Sequence, residues 1–210
     1  MTTNIKVNVQ SSIRISGSKT LYFDPWQIEG EPHDADFVFV THEHYDHFSP
    51  EDIEKVSMLD TYLVMPESMR NYAAQMSCIQ TSRMIFLSPG VKREVSRIMI
   101  EVYPAYNMKK PFHLKRNGWV GYVVTLDATR FYVSGDTDAV PEIRQILCDV
   151  AFVPIGGTYT MDASEAAKLI KKMEPKVVVP THYGHIVGSP VDGEFFQGLL
   201  PPYIKCRILL

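Results

Sequence analysis

The segment Thr41-His42-Glu43-His44-Tyr45-Asp46-His47 gathers three of the chain's seven histidines in one short window. Imidazole nitrogens suit zinc, iron or nickel, and a carboxylate adds hard-ligand character. On an extended or turning segment, His42 and His44 project to the same side and can hold one ion. Asp46 and His47 fall at the following turn and can reach a second ion nearby. The chemistry open to such a site is activation of water, because coordination brings the pKa of water to about 7. A solvated histidine cluster on a loop is the competing reading of the same residues.

The elements around the window must hold it at the end of a strand. Residues 36–40 (DFVFV) form an apolar, aromatic and β-branched run that reads as a buried strand, ending at Thr41. Residues 5–9, 12–16 and 20–23 read as earlier strands. Ser49 and Pro50 mark a helix start, with Ser49 as N-cap and Pro50 in the first helical position. Strands are expected over 61–65, 85–87, 92–95 and 98–103, followed by a hairpin of 119–126 and 130–133 turned at Asp127-Ala128-Thr129. Helices are expected over 66–76, over 140–147 opened by Pro141, over 162–173 with Asp162 and Glu165 as a capping box, and over 195–199. Strands at 150–154, 177–179 and 204–209 complete the pattern. Strands come first and then strands interleaved with helices, in both halves. That order fits two packed sheets with helices outside, a mixed α/β (α+β) architecture, in one domain over residues 1–210.

Composition narrows the function classes. Hydrophobic residues at 45% and charged residues at 21% are ordinary for a chain with a sizeable core. A net charge of −3 gives no support to nucleic acid or a membrane surface as partner. No apolar run approaches the roughly 20 residues of a membrane span, and residues 1–12 lack the charged and apolar regions of a signal peptide. Cys78, Cys148 and Cys206 are odd in number and widely spaced, so they read as reduced, mostly buried thiols. None forms a CxxC pair that would bind zinc. The expectation is a cytoplasmic protein acting on a small-molecule substrate, with no nucleic-acid partner, no membrane span and an unassigned oligomeric state.

HxHxDH after a buried strand resembles the signature of the metallo-β-lactamase fold superfamily. Two later segments extend the likeness: Val133-Ser134-Gly135-Asp136-Thr137-Asp138 is similar to its GDT segment, and Val179-Pro180-Thr181-His182-Tyr183-Gly184 to its late PxHYG-type segment. Asp24-Pro25-Trp26, the GGTYTMDASEAA run from Gly156 and His182-Tyr183-Gly184 look most like the branch related to L-ascorbate-6-phosphate lactonase and to N-acylphosphatidylethanolamine-hydrolysing phospholipase D. The likeness runs from Thr20 to the C-terminus.

The resemblance implies a four-layer αββα sandwich and a dinuclear site. His42, His44 and one further histidine would hold the first ion. Asp46, His47 and His182 would hold the second, with Asp136 bridging. A hydroxide shared by the ions would be the nucleophile, and Asp46 would orient it or pass a proton to the leaving group. Zinc is favoured, and manganese or iron(II) also fits. The further histidine is missing from its usual place after a strand, where Pro104-Ala105-Tyr106-Asn107 stands. His113, turned back by Pro111, is the expected substitute, with Asn107 as the alternative. Asp24 reads as an outer partner orienting a ligand histidine or as a surface turn. Tyr159 and Tyr183 read as donors to a developing anion or as packing aromatics. Gly156-Gly157 suits a close backbone approach to substrate or a tight strand-to-loop turn. The basic loop 109–116 would attract an anionic group on the substrate or is a solvated loop. His33 and His185 are given no ligand role. The implied function is metal-dependent hydrolysis of an ester-type bond, lactone or phosphodiester. A diiron oxidoreductase on the same fold and a non-enzymatic metal-binding scaffold are the alternatives; flavodiiron members have a carboxylate where His44 stands.

Overall fold

Period-2 alternation in the central strands builds two sheets that share one core. The computed structural model describes residues 3–210, so Met1 and Thr2, the first residues of the stretch read for a leader, lie outside the described residues. The first sheet has six strands in sequence order: β1 (Asn4–Val7), β2 (Ile13–Ser16), β3 (Thr20–Phe23), β4 (Ala35–Phe39), β5 (Ser57–Pro66) and β6 (Met84–Leu87). The second has seven: β7 (Lys92–Val95), β8 (Ile98–Pro104), β9 (Val120–Leu126), β10 (Thr129–Val133), β11 (Val150–Pro154), β12 (Val177–Thr181) and β13 (Lys205–Cys206). β3 to β6 run parallel to one another, as do β10 to β13.

Side chains alternate across each strand and so choose their layer. Phe37 and Phe39 of β4, Tyr122 and Val124 of β9, Phe131 and Val133 of β10 and Phe152 of β11 meet in the core between the sheets. The residues between them face outward. Val38 and Val40 meet Ile53 and Val56 of helix α1 (Pro50–Val56). Val123, Tyr132, Ala151 and Val153 meet Leu169 and Ile170 of α2 (Ala163–Met173) and Phe196 of α3 (Asp192–Gly198). Strands covered on both faces are apolar throughout, as parallel strands are elsewhere. The result is the expected αββα order of layers.

The helix ends are set as the sequence predicts. Ser49 accepts from Asp52 N, and Asp162 and Glu165 form a reciprocal capping box. Other expectations are corrected. Residues 67–75 form 3₁₀ turns rather than an α-helix, with Met69 their sole buried side chain, so no apolar stripe supports a longer helix. The helix expected over 140–147 reduces to 3₁₀ turns. Val140, Ile143 and Ile146, all buried, recur every third residue, the 3₁₀ period. The last strand shrinks to Lys205–Cys206, and the last helix begins at Asp192 instead of Phe195. All three cysteines are unpaired, as expected, but half-buried rather than buried. Among the described residues, no helix is long and apolar enough to cross a membrane.

Candidate metal centre

Strand ends deliver the candidate residues to one edge of the sandwich. β4 leads into His42, His44, Asp46 and His47. β10 leads into Asp136, and His182 follows β12 directly. Beyond β8 the chain loops through Asn107 before returning, and this loop carries His113. Val120 N donates to Thr41 O at 3.2 Å, joining the two sheets beside the first histidines. Glycines permit the close approach. A Cβ on Gly135 would stand 2.8 Å from Val120 O, and one on Gly156 would stand 2.2 Å from His182 O. That approach is to the backbone of His182 and not to a substrate, and Gly157 O accepts from Thr160 N at 2.8 Å, so of the two readings of Gly156-Gly157 the tight turn is the one seen.

The structure brings all seven predicted residues together. His42, His44 and His113 offer ligand atoms within 4.8 Å of one another, as do Asp46, His47 and His182, and His42, His47 and Asp136. Asp136 stands between the groups: its Oδ2 lies 3.2 Å from Nε2 of both His113 and His182, and its Oδ1 lies 3.3 Å from His47 Nε2. Asp46 Oδ2 lies 3.4 Å from His182 Nε2 and 3.5 Å from His47 Nε2. Asn107 stands behind the cluster: its Nδ2 donates to Tyr159 O at 2.6 Å and meets His113 Nδ1 at 3.3 Å, while His113 Nε2 faces Asp136.

The far sides of these rings are held from outside. Asp24, fully buried, accepts from His47 Nδ1 at 2.8 Å and from Thr41 N and Oγ1 at 2.7 Å. It is therefore an orienting partner and not a surface turn. Thr41 Oγ1 meets His42 Nδ1 at 3.0 Å, and Tyr159 O meets His113 Nδ1 at 3.1 Å. Trp119, which carried no sequence signal beyond opening a hairpin, covers the first group. Its ring lies 4.7 Å from His42, 4.8 Å from His44 and 5.3 Å from His113.

The electrostatics suit cations. Burial, joined by neighbouring His47, holds His42 well below the usual histidine pKa, and burial with His113 and His47 lowers His44, so both rings are neutral and able to ligate. Burial also opposes charge on His47 and His182, but carboxylates outweigh it. Asp136 and Asp24 hold His47 well above the usual value, and Asp136 and Asp46 raise His182 to about 9. Burial would likewise lift Asp136, yet His182 and His47 keep it far below the usual carboxylate range. Protons here occupy the place that cations would take. Nε2 of His47, His113 and His182 and Oδ1 of Asp136 are buried without a hydrogen-bond partner, although they converge. Unpartnered buried donors of these types, aimed at each other, fit divalent metal ions.

A cleft of about 200 Å³ opens on Asp46, Asp136 and His182, and Tyr45, Tyr159 and Ile186 line its sides. Tyr183 is not among its lining residues. The basic loop brings His113 to the site rather than its lysines: Lys110 is bound by Asp138 and Thr160 O, and Lys115 by Glu142. A larger groove of about 760 Å³ shares Trp119 with the cluster but holds no histidine, so its size does not make it the site.

Comparisons with known proteins agree with this geometry. Residues 9–182 match the family described as the beta-lactamase superfamily domain. A UPF0173 metal-dependent hydrolase of Pyrococcus abyssi is 29% identical, with 98% of this chain and 95% of that protein covered. The crystal structure of a protein from Parabacteroides distasonis, provisionally named a metal-dependent hydrolase, superposes with a TM-score of 0.80 at 29% identity, covering 98% of this chain and 92% of that one. The diiron β-hydroxylase CmlA of Streptomyces venezuelae shares the fold alone, with a TM-score of 0.73 at 10% identity over 99% of this chain and 53% of that one. This chain belongs to the beta-lactamase superfamily, among the metal-dependent hydrolases of the metallo-β-lactamase fold.

Proposed function

We propose that the protein hydrolyses an ester-type bond, lactone or phosphodiester, in a small substrate, using two divalent ions. His42, His44 and His113 would hold one ion, Asp46, His47 and His182 the other, and Asp136 both. The observation that carries this reading is the convergence of unpartnered buried nitrogens of three histidines on Asp136. Zinc is the first choice, with manganese or iron(II) suited to the same mixed donors. Bound ions would supply an acidified water and polarise the scissile carbonyl or phosphoryl oxygen.

The chain's own residues do the rest. Asp24 and Thr41 fix His47, and Tyr159 O fixes His113, so these rings are already oriented for the ions they would hold. Asp46, at the floor of the cleft, orients the attacking water and hands its proton to the leaving oxygen. Trp119 packs against all three rings of the first group, while His44 stays exposed to the cleft. Tyr45 and Ile186, both exposed at the mouth, receive the apolar part of a substrate. The net charge of −3 speaks against nucleic acid as partner, and three free thiols suit the cytoplasm. A histidine at position 44 favours hydrolysis over diiron oxidation.

The test is a screen of lactones and phosphodiesters with zinc- and manganese-loaded protein, beside Asp136→Ala. Metal-dependent turnover that falls at least a hundredfold in the variant is expected. Near-parental turnover in Asp136→Ala would sink the mechanism, and oxygen consumption by iron-loaded protein without hydrolysis would favour the oxidoreductase.

A further inference from the structure

His182 is tied to the first hairpin through its backbone, donating from N to Gln10 O at 3.0 Å. Gln10 sits in the turn between β1 and β2, in the left-handed region at φ 52°, and is fully buried. Neither Oε1 nor Nε2 of its carboxamide has a hydrogen-bond partner. Burying an unpaired amide carries a desolvation cost that an apolar residue of the same size would avoid. Nδ1 of His182 is buried and unpartnered as well. The other buried rings of the cluster are held on that side: His47 by Asp24, His113 by Tyr159 O and His42 by Thr41. His182 alone among these four has no such support. Histidines that hold metal ions nearly always give their second N–H to an acceptor, which fixes tautomer and ring angle.

We propose that Gln10 is the positioning residue for His182. Its carboxamide oxygen takes the Nδ1–H through one buried water and keeps Nε2 turned toward Asp46 and Asp136. A bridging water needs two to four polar partners, and the two carboxamide atoms with His182 Nδ1 supply enough. This role rests on the metal-site reading above.

The experiment is cobalt(II) titration of metal-free protein, followed by visible absorption, for the parent, Gln10→Leu and Gln10→Glu. Leu removes the acceptor; Glu keeps one. Gln10→Leu should fold with a metal-free Tm close to the parent's, because it replaces an unpaired buried amide. Its weaker cobalt equivalent should lose affinity by roughly 10- to 100-fold, with an altered spectrum. Gln10→Glu should restore both. If Gln10→Leu does not fold, Gln10→Met offers the same comparison at the parental side-chain length. Two equivalents bound by the leucine or methionine variant with parental affinity and spectrum overturn the role, as does a glutamate variant no better than leucine. A parent that takes up no cobalt overturns the metal-site reading and this role together, whereas a parent with two equivalents and an unchanged variant overturns this role alone.

Discussion

His113 occupies a left-handed backbone position at φ 46°, and Asn107 N donates to its carbonyl at 2.8 Å, closing the loop that turns its ring toward Asp136. That local turn explains how a histidine so far from the first motif reaches the cluster. With His113→Ala, elemental mass spectrometry should find metal content falling from about two ions per chain to about one; two ions in both proteins would return His113 to a structural role. Asp24 acts one step further out. Asp24→Asn keeps the shape but gives up the charge that holds His47 and offers Thr41 a poorer acceptor. Metal affinity should fall by roughly 10- to 100-fold, with folding retained, in a competition titration against a chelator.

At the scale of elements, the loop after β8 is fastened from the segment beyond β10 that carries Asp136. Asp138, two residues beyond Asp136, accepts from Met108 N at 2.9 Å and binds the ammonium of Lys110. Asp138→Ala should therefore free the backbone around Met108 and speed its amide exchange while leaving β9 and β10 protected; unchanged exchange at 107–113 would count against this tether. The capping box of α2 makes a separate prediction. Asp162→Ala leaves Glu165 N without its acceptor and should cost about 1 kcal/mol in urea unfolding, without changing metal content.

The whole molecule concentrates opposed charges in one buried place, and pH should reveal it. The raised pKa of His182, about 9 against an ordinary 6.5, gives the metal-free protein stability that is fully present below pH 6.5 and is lost as pH rises through 9. Buried His47, also raised, acts in the same direction. Asp136 is depressed below its ordinary 3.8, so its contribution is present above that pH and is lost under more acid conditions. Metal-free protein should thus be most stable between about pH 4 and 6.5 and lose on the order of 3 kcal/mol from His182 by strongly alkaline pH. Zinc should flatten the alkaline limb, because an ion takes the place of the protons. Thermal unfolding across pH, with and without zinc, checks both limbs; a metal-free protein with no alkaline loss would contradict this account of the site.

The histidine window was legible in residue types and spacing alone, whereas Asp136 and His182 were found through the resemblance of their segments to a known superfamily. All of them follow strands that read as apolar, aromatic or β-branched runs, and strand ends are where a sandwich collects side chains, so local pattern and site coincide. The layer order follows from the alternating direction of side chains along a strand, since Phe37 and Val38 cannot face one way. Tertiary structure decided what depends on contacts between distant segments. Trp119 covers His42 and His44 across a large sequence gap, Asp24 meets His47 only when β3 and β4 pair, and Gln10 reaches His182 only because the two sheets close on each other. The 3₁₀ turns belong here too: in 67–75 and 140–147 intrinsic propensity allows a helix, but 67–75 buries a single side chain and 140–147 buries Val140, Ile143 and Ile146 at the 3₁₀ period. Sequence specifies donors through local spacing, whereas the partners that aim those donors are set by which distant backbone the folded chain brings alongside.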